Sequence, residues 1–433
     1  MFAELLRRSA WLAAGSAFGR LLPLLVLLAA SRRLDPGGFA TASAGFAWAG
    51  VAMSLSSAGL ATVMAQRLGA IAEEARQRAV LGAHLRRSLA ASALLGLIVA
   101  LFGAPAAGLL FSGAVDTRVA VPAAIAGALW SQVAMVVAAL NGSHRARAAS
   151  ATLALCGLLQ GGAMALALLC WERALAMAWG MAAGSAVAAA VAAWQVRLVF
   201  GVGVLGTSPT TAEPPAPGAT WRSPVLWHTV ASASVLPVSF FASAIVSRGP
   251  GGGRQLALFF ALEQVYQLVV YLPAVMGQAL LPMVSRSVHG AVDGPTARQL
   301  VRRLTRYALL AAVAGLGLAA LATLEVGWFT RLLGNPAVQP GDAWAVRWMA
   351  ASASLAFSLS LLGGAMLGRG QIMRAGQLNL MWGLLFVGTT MALGTYGTAG
   401  LQCARTVAAV VLIAATAALL QRPVQGHQSG PGS

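Results

Sequence analysis

Residues 9–31 read "SAWLAAGSAFGRLLPLLVLLAAS", an apolar run of 23 residues with one charge, Arg20, at its twelfth position. A helix of this length rises more than ~30 Å, enough to cross the hydrocarbon core of a bilayer. It exceeds the ~7–15 apolar residues of a secretory signal. Arg7 and Arg8 precede it and "LAAS" at 28–31 faintly resembles a cleavage site, yet its length marks it as a retained first span.

Similar runs recur to the end of the chain. Of 433 residues, 58% are hydrophobic and 9% charged, against roughly a quarter charged in a soluble domain. Twelve spans are placed at about 9–31, 39–62, 88–111, 119–141, 150–170, 174–198, 225–247, 255–281, 306–328, 344–366, 376–394 and 398–420. Pro105, Pro122, Pro237 and Pro273 lie within or at the ends of spans and predict kinks. All 29 basic residues are arginine. Without lysine there is neither a Walker A motif nor a Schiff-base nucleophile. Cys156, Cys170 and Cys403 are dispersed and read as small apolar filler rather than a disulfide framework or metal set. The five histidines are expected in loops or the tail, so no metal or cofactor is expected.

Arginine placement orients the chain. With the N-terminus inside, inner segments hold 19 arginines and outer segments 8, while Arg20 and Arg405 lie within spans. The positive-inside rule puts both termini in the cytoplasm. The halves echo each other: Arg8-Ser9 leads to Leu22-Pro23 as Arg222-Ser223 leads to Leu236-Pro237, an offset of 214, and Arg86-Arg87 recurs as Arg302-Arg303. "NGSHRARA" after the fourth span is echoed by "RGQIMRA" after the tenth. The expected fold is an all-α polytopic membrane protein of about 12 transmembrane helices. These form two six-helix lobes, a parallel 6+6 repeat, around a central cavity. The domains are then residues 1–198, a Pro/Gly/Thr-rich cytoplasmic linker at 199–224, residues 225–420, and a disordered tail at 421–433. No outer loop exceeds about 15 residues, which leaves no room for an external catalytic domain.

An arginine at mid-bilayer costs about 2.5–3.5 kcal/mol on insertion scales. Arg20 therefore faces water or a partner, and Ser16 shares its helical face. Its functional reading is a fixed cation for an anionic, preferably phosphate-bearing, substrate; the alternative is an interhelical ion pair. Glu263 is the one acid deep within a span and starts a polar stripe with Gln267, Tyr271 and Gln278. It is a candidate ion or proton site, against the alternative of a structural acid; pairing with Arg20 is conceivable. Arg405, with Gln402 and Thr406, forms a second polar cluster, near enough to an end that snorkelling is feasible. Arg347 between Trp344 and Trp348 reads as an interfacial anchor. Gly15/Gly19, Gly157/Gly161 and Gly180/Gly184 match the close-packing pattern of membrane helices.

The stretches "RRLDPGGFA" (32–40), "AGLATVMAQRLG" (58–69) and "LNGSHRARAAS" (140–150) resemble bacterial polysaccharide or oligosaccharide flippases of the multidrug/oligosaccharidyl-lipid/polysaccharide exporter superfamily. The resemblance implies a monomer in the bacterial cytoplasmic membrane that moves a glycan, linked by pyrophosphate to a polyprenol, to the outer face by alternating access. It implies a cationic cavity in which Arg20, Ser16, Gln267, Tyr271 and Arg405 bind substrate and Glu263 couples an ion. Partners are then the lipid-linked glycan, anionic lipids through the inner-loop arginines, and glycan polymerase or export machinery. Nucleic acid is not expected. The alternatives are a cation-coupled drug exporter of the same superfamily and an integral-membrane glycan enzyme. No arginine other than Arg20 lies at mid-depth, which departs from a multi-arginine cage.

Overall fold

The structure, a computed structural model, describes residues 11–57, 60–201, 222–289, 294–322, 338–369 and 371–421, less short gaps at 12–13, 16, 62–63, 66–67, 69–70 and 72. The described residues are helical throughout, joined by turns. A π-helical turn, Ala17–Leu21, leads into α1 (Leu22–Arg33). Then come α2 (Pro36–Ser57), α3 (Glu74–Phe111), α4 (Ala120–Gly142), α5 (Ala146–Trp171) and α6 (Ala174–Phe200). The rest are α7 (Arg222–Ser247), α8 (Gly252–His289), α9 (Gly294–Ala322), α10 (Ala343–Gly368), α11 (Ile372–Leu393) and α12 (Gly397–Gln421). The interior of the expected linker and the tail beyond Gln421 lie outside the described residues.

Among the described residues, six stretches are long and apolar enough to cross a membrane: Pro36–Ser57, Thr117–Gly142, Ala146–Trp171, Ala174–Phe200, Ala343–Gly368 and Met373–Gln421, the last covering α11 and α12. The chain is thus a multi-pass membrane protein. α3 adds a seventh if its arms, Gln77–Val99 and Leu101–Phe111, set at 49°, count as one bent span. Pro105 explains the bend, because its ring presses on the carbonyl of Leu101 and removes the bond that carbonyl would accept. α1 has only 12 residues after the π turn. α9 carries Arg298, Arg302, Arg303 and Arg306 in its first half, and α8 carries Arg254 and Glu263.

Several helices also outrun the expected spans. α3 begins at Glu74 and α8 continues to His289. His84, His228 and His289 consequently sit on helices rather than in loops. His84 is buried, with Nδ1 2.8 Å from the carbonyl oxygen of Val80.

The two halves pack alike. α2 lies against α4, α4 also against α3 and α6, and α5 against α6 and the first helix. Six helices later, α8 lies against α10, α10 also against α9 and α12, and α11 against α12 and α7. One detail repeats at atomic level. Arg145, before α5, donates from Nη1 to the carbonyl of Val199 at 2.9 Å, one residue before α6 ends. Arg369, before α11, donates from Nη1 to the carbonyl of Leu420 at 2.8 Å, one residue before α12 ends. Each arginine caps carbonyls that have no partner within the helix.

Among the described residues, the apolar core is shared at one end of the molecule and divided at the other. A single cluster joins Leu27 and Phe39, Phe111, Met164 and Met181 of the first six helices to Phe240, Leu262, Met349, Phe386 and Leu401 of the last six. Beyond it the core splits. Met64, Leu85, Leu140 and Phe200 belong to one cluster, and Ala308, Leu362, Met366 and Ile413 to another. At the shared end the ring of Phe240 (α7) lies 4.8 Å from Trp48 (α2) and 5.0 Å from Phe111 (α3). Arg248, just past α7, donates from Nε to the carbonyl of Leu110 at 3.1 Å and from Nη2 to that of Leu109.

Candidate functional site

Arg20 falls within the π-helical turn Ala17–Leu21. Pro23 lies one turn later and has no N–H to give to the carbonyl of Gly19. The local irregularity is therefore written into the sequence, and π turns recur at functional positions. The side chain of Arg20, the whole of Ser16 and the side chain of Gln278 lie outside the described residues.

Glu263 meets Arg405 of α12. Arg405 donates from Nη1 to Glu263 Oε2 at 2.7 Å, joining α12 to α8. The second carboxylate oxygen, Oε1, accepts from Gln267 Nε2 at 2.7 Å. Gln267 lies one helical turn on, so i, i+4 spacing brings the amide over the carboxylate. Arg405 is only 3% exposed, so the snorkelling that its place near a span end makes feasible is not what it does. Three rings surround its guanidinium carbon, with Tyr266 at 4.5 Å, Phe386 at 5.7 Å and Phe259 at 5.8 Å. Cation–π attraction of this kind is strongest where water is excluded. The remaining polar residues divide. Thr406 donates its hydroxyl to the Gln402 carbonyl of its own helix at 2.9 Å. Tyr271 packs against the divided-end core of the first six helices.

Beside this pair lies a cavity of about 400 Å³ within the last six helices. Val235, Tyr266, Ser360, Asn379, Trp382 and Arg405 are among its walls, contributed by α7, α8, α10, α11 and α12. Among the described side chains expected to line a cavity, Arg405 lines this one, and it brings its carboxylate partner with it. Sequence reasoning missed Tyr266 and Trp382, since an aromatic in an apolar span looks like core. The usable signal was the Glu263/Tyr266 spacing of three, which puts ring and acid on one face.

Other expectations concern packing. Gln132 donates to the hydroxyl of Ser92 at 2.6 Å, and Gln160 to that of Ser185 at 2.7 Å, tying α4 to α3 and α5 to α6. Arg347 stacks over Trp344 at 5.0 Å. Among the described residues no group of three His, Cys, Asp or Glu side chains could hold a metal ion.

Comparison with known proteins gives two kinds of likeness. A family model described as "Polysaccharide biosynthesis protein" matches residues 5–288. No curated protein matches the sequence. Among solved structures, a MATE in complex with MaL6 is 17% identical with a TM-score of 0.67, covering 95% of this chain and 96% of that one. A MOP superfamily transporter from Pyrococcus furiosus is 16% identical with a TM-score of 0.66, covering 96% of each chain. A MATE transporter in an inward-facing conformation is 17% identical with a TM-score of 0.66, covering 94% of each. At these identities the structures speak for the fold alone. The chain belongs to the polysaccharide biosynthesis protein family and has the fold of MATE and MOP superfamily transporters.

Proposed function

We propose that the protein is a flippase: it carries a polyprenyl-pyrophosphate-linked oligosaccharide from the cytoplasmic to the outer face of the bacterial inner membrane by alternating access. The observation that carries this reading is the divided core. Among the described residues, two similarly packed lobes share one apolar cluster at one end and have separate clusters at the other. That is the shape of a carrier closed on one side, here in a family tied to polysaccharide biosynthesis. Arginine placement makes the divided end cytoplasmic, so the substrate would enter from the side where lipid-linked glycans are built. Short outer loops support transport over catalysis.

In this reading Arg20 supplies the first lobe's cation for the pyrophosphate. Export of surface polysaccharide in a flippase-deficient strain, with protein levels matched, tests it. Wild type restores export, Arg20→Ala abolishes it, and Arg20→Lys, which lacks the bidentate fork, restores it partly. Full export by Arg20→Ala overturns the cationic-site role. Failure of the wild-type protein overturns the flippase reading. A cation-coupled drug exporter is the second reading, favoured by the likeness to MATE structures. It requires an exchangeable acid, whereas Glu263 is already held by Arg405 and Gln267. Drug resistance conferred without glycan export would favour it.

A further inference from the structure

We infer that the cavity beside the Glu263–Arg405 pair is a site for a neutral sugar ring of the transported headgroup, an inference that rests on the flippase reading. Its volume of about 400 Å³ lies within the ~300–1,000 Å³ range of small-molecule sites. The argument is one of charge. Among the described residues, the one charged side chain on its wall, Arg405, already faces the Glu263 carboxylate at 2.7 Å and is boxed by Tyr266, Phe259 and Phe386. A phosphate entering there would meet a compensated pair, and taking the guanidinium would leave Glu263 buried and unpaired. An uncharged, polar ligand meets no such penalty.

The rest of the wall suits a sugar. Trp382 and Tyr266, the latter already covered on one side by Arg405, bring aromatic rings to the wall that suit the C–H face of a pyranose, and Ser360, Asn379 and Thr416 bring hydroxyl and amide groups to the same wall. Substrate recognition is thereby shared between lobes, the pyrophosphate going to the first and a sugar of the headgroup to the second.

Gly363 of α10 gives a clean probe. It lines the cavity, and a Cβ built on it meets no atom within 4 Å. Gly363→Phe, whose side chain starts from open space on the wall, should fill the cavity. Trp382→Leu removes a stacking face and serves as the second variant should Gly363→Phe fail to fold. The full chain in nanodiscs is titrated calorimetrically with two probes: oligosaccharide released by mild acid from the native host's lipid-linked pool, and inorganic pyrophosphate. The expected result is glycan binding by wild type, weakened tenfold or more in Gly363→Phe and Trp382→Leu, with pyrophosphate binding unchanged. Absence of glycan binding by wild type, or glycan binding untouched by both variants, overturns the inference. So does pyrophosphate binding that falls in the cavity variants, which would make the cavity an anion site. Export assays separate the two readings. If wild type fails to restore export, the flippase reading falls; if wild type and Gly363→Phe restore it equally, the sugar site alone falls.

Discussion

Arg405 occupies a place where an unpaired guanidinium would be prohibitive, and every neighbour described for it works to offset that cost. Glu263 supplies the counter-charge, Gln267 fixes the carboxylate, and three rings supply polarizable faces. Removing one partner of such a pair leaves the other charge buried alone, a loss of about 3–5 kcal/mol in soluble proteins. Arg405→Ala and Glu263→Ala should therefore each lower the thermal unfolding midpoint in detergent sharply. The double variant Glu263→Leu/Arg405→Met, apolar on both sides, should recover most of it. Equal losses in single and double variants would show that the two residues do not act as a pair. The sequence marked both residues as anomalies in apolar spans, but not their partnership. They stand 142 positions apart, and which helices meet is a property of the packed bundle rather than of either helix.

At the level of elements, small residues decide how close two helices come. A Cβ on Gly157 of α5 would overlap the backbone of Gly19 in the first helix, and one on Gly161 would press on the Leu22 side chain at 2.7 Å. The first helix can thus lie directly on α5, where dispersion contacts replace the hydrophobic drive that lipid does not provide. Gly162, next along α5, faces open space. Gly157→Leu should therefore cost most of the folded protein recovered from membranes, while Gly162→Leu should express like wild type. Similar yields for both would remove the close approach from the account. Spacing of four alone made these glycines look unremarkable among 49, yet all three such pairs lie at helix contacts. The echo between "NGSHRARA" and "RGQIMRA" was legible as sequence. Its meaning, an arginine reaching back to cap the sixth helix of each half, depends on long-range geometry that no local pattern carries.

For the whole molecule, the aromatic cluster at the shared end is the obstacle that the proposed transport would have to remove. Phe240 sits against Trp48 and Phe111, Arg248 holds the last carbonyls of α3, and Leu236 of α7 lies where a Cβ on Gly50 of α2 would touch it at 3.5 Å. A carrier that releases its load on that side must part α7 from α2 and α3 while the divided end closes, because a packed core yields between discrete arrangements rather than by gradual stretching. Cysteines placed by Gly50→Cys and Leu236→Cys, in a background without Cys156, Cys170 and Cys403, should be bridged by a short thiol-to-thiol cross-linker. Bridged protein should still bind glycan from the open side but export none, and cleavage of the linker should restore export. Each single cysteine, treated alike, should export normally. If the bridged protein exports at the uncross-linked rate, the shared core stays closed throughout the cycle and the path lies elsewhere, along the lipid-facing surface of one lobe. That outcome would separate the cavity beside Arg405 from any alternating motion, whereas loss of export makes the parting of α7 from α2 the step that admits the outer side.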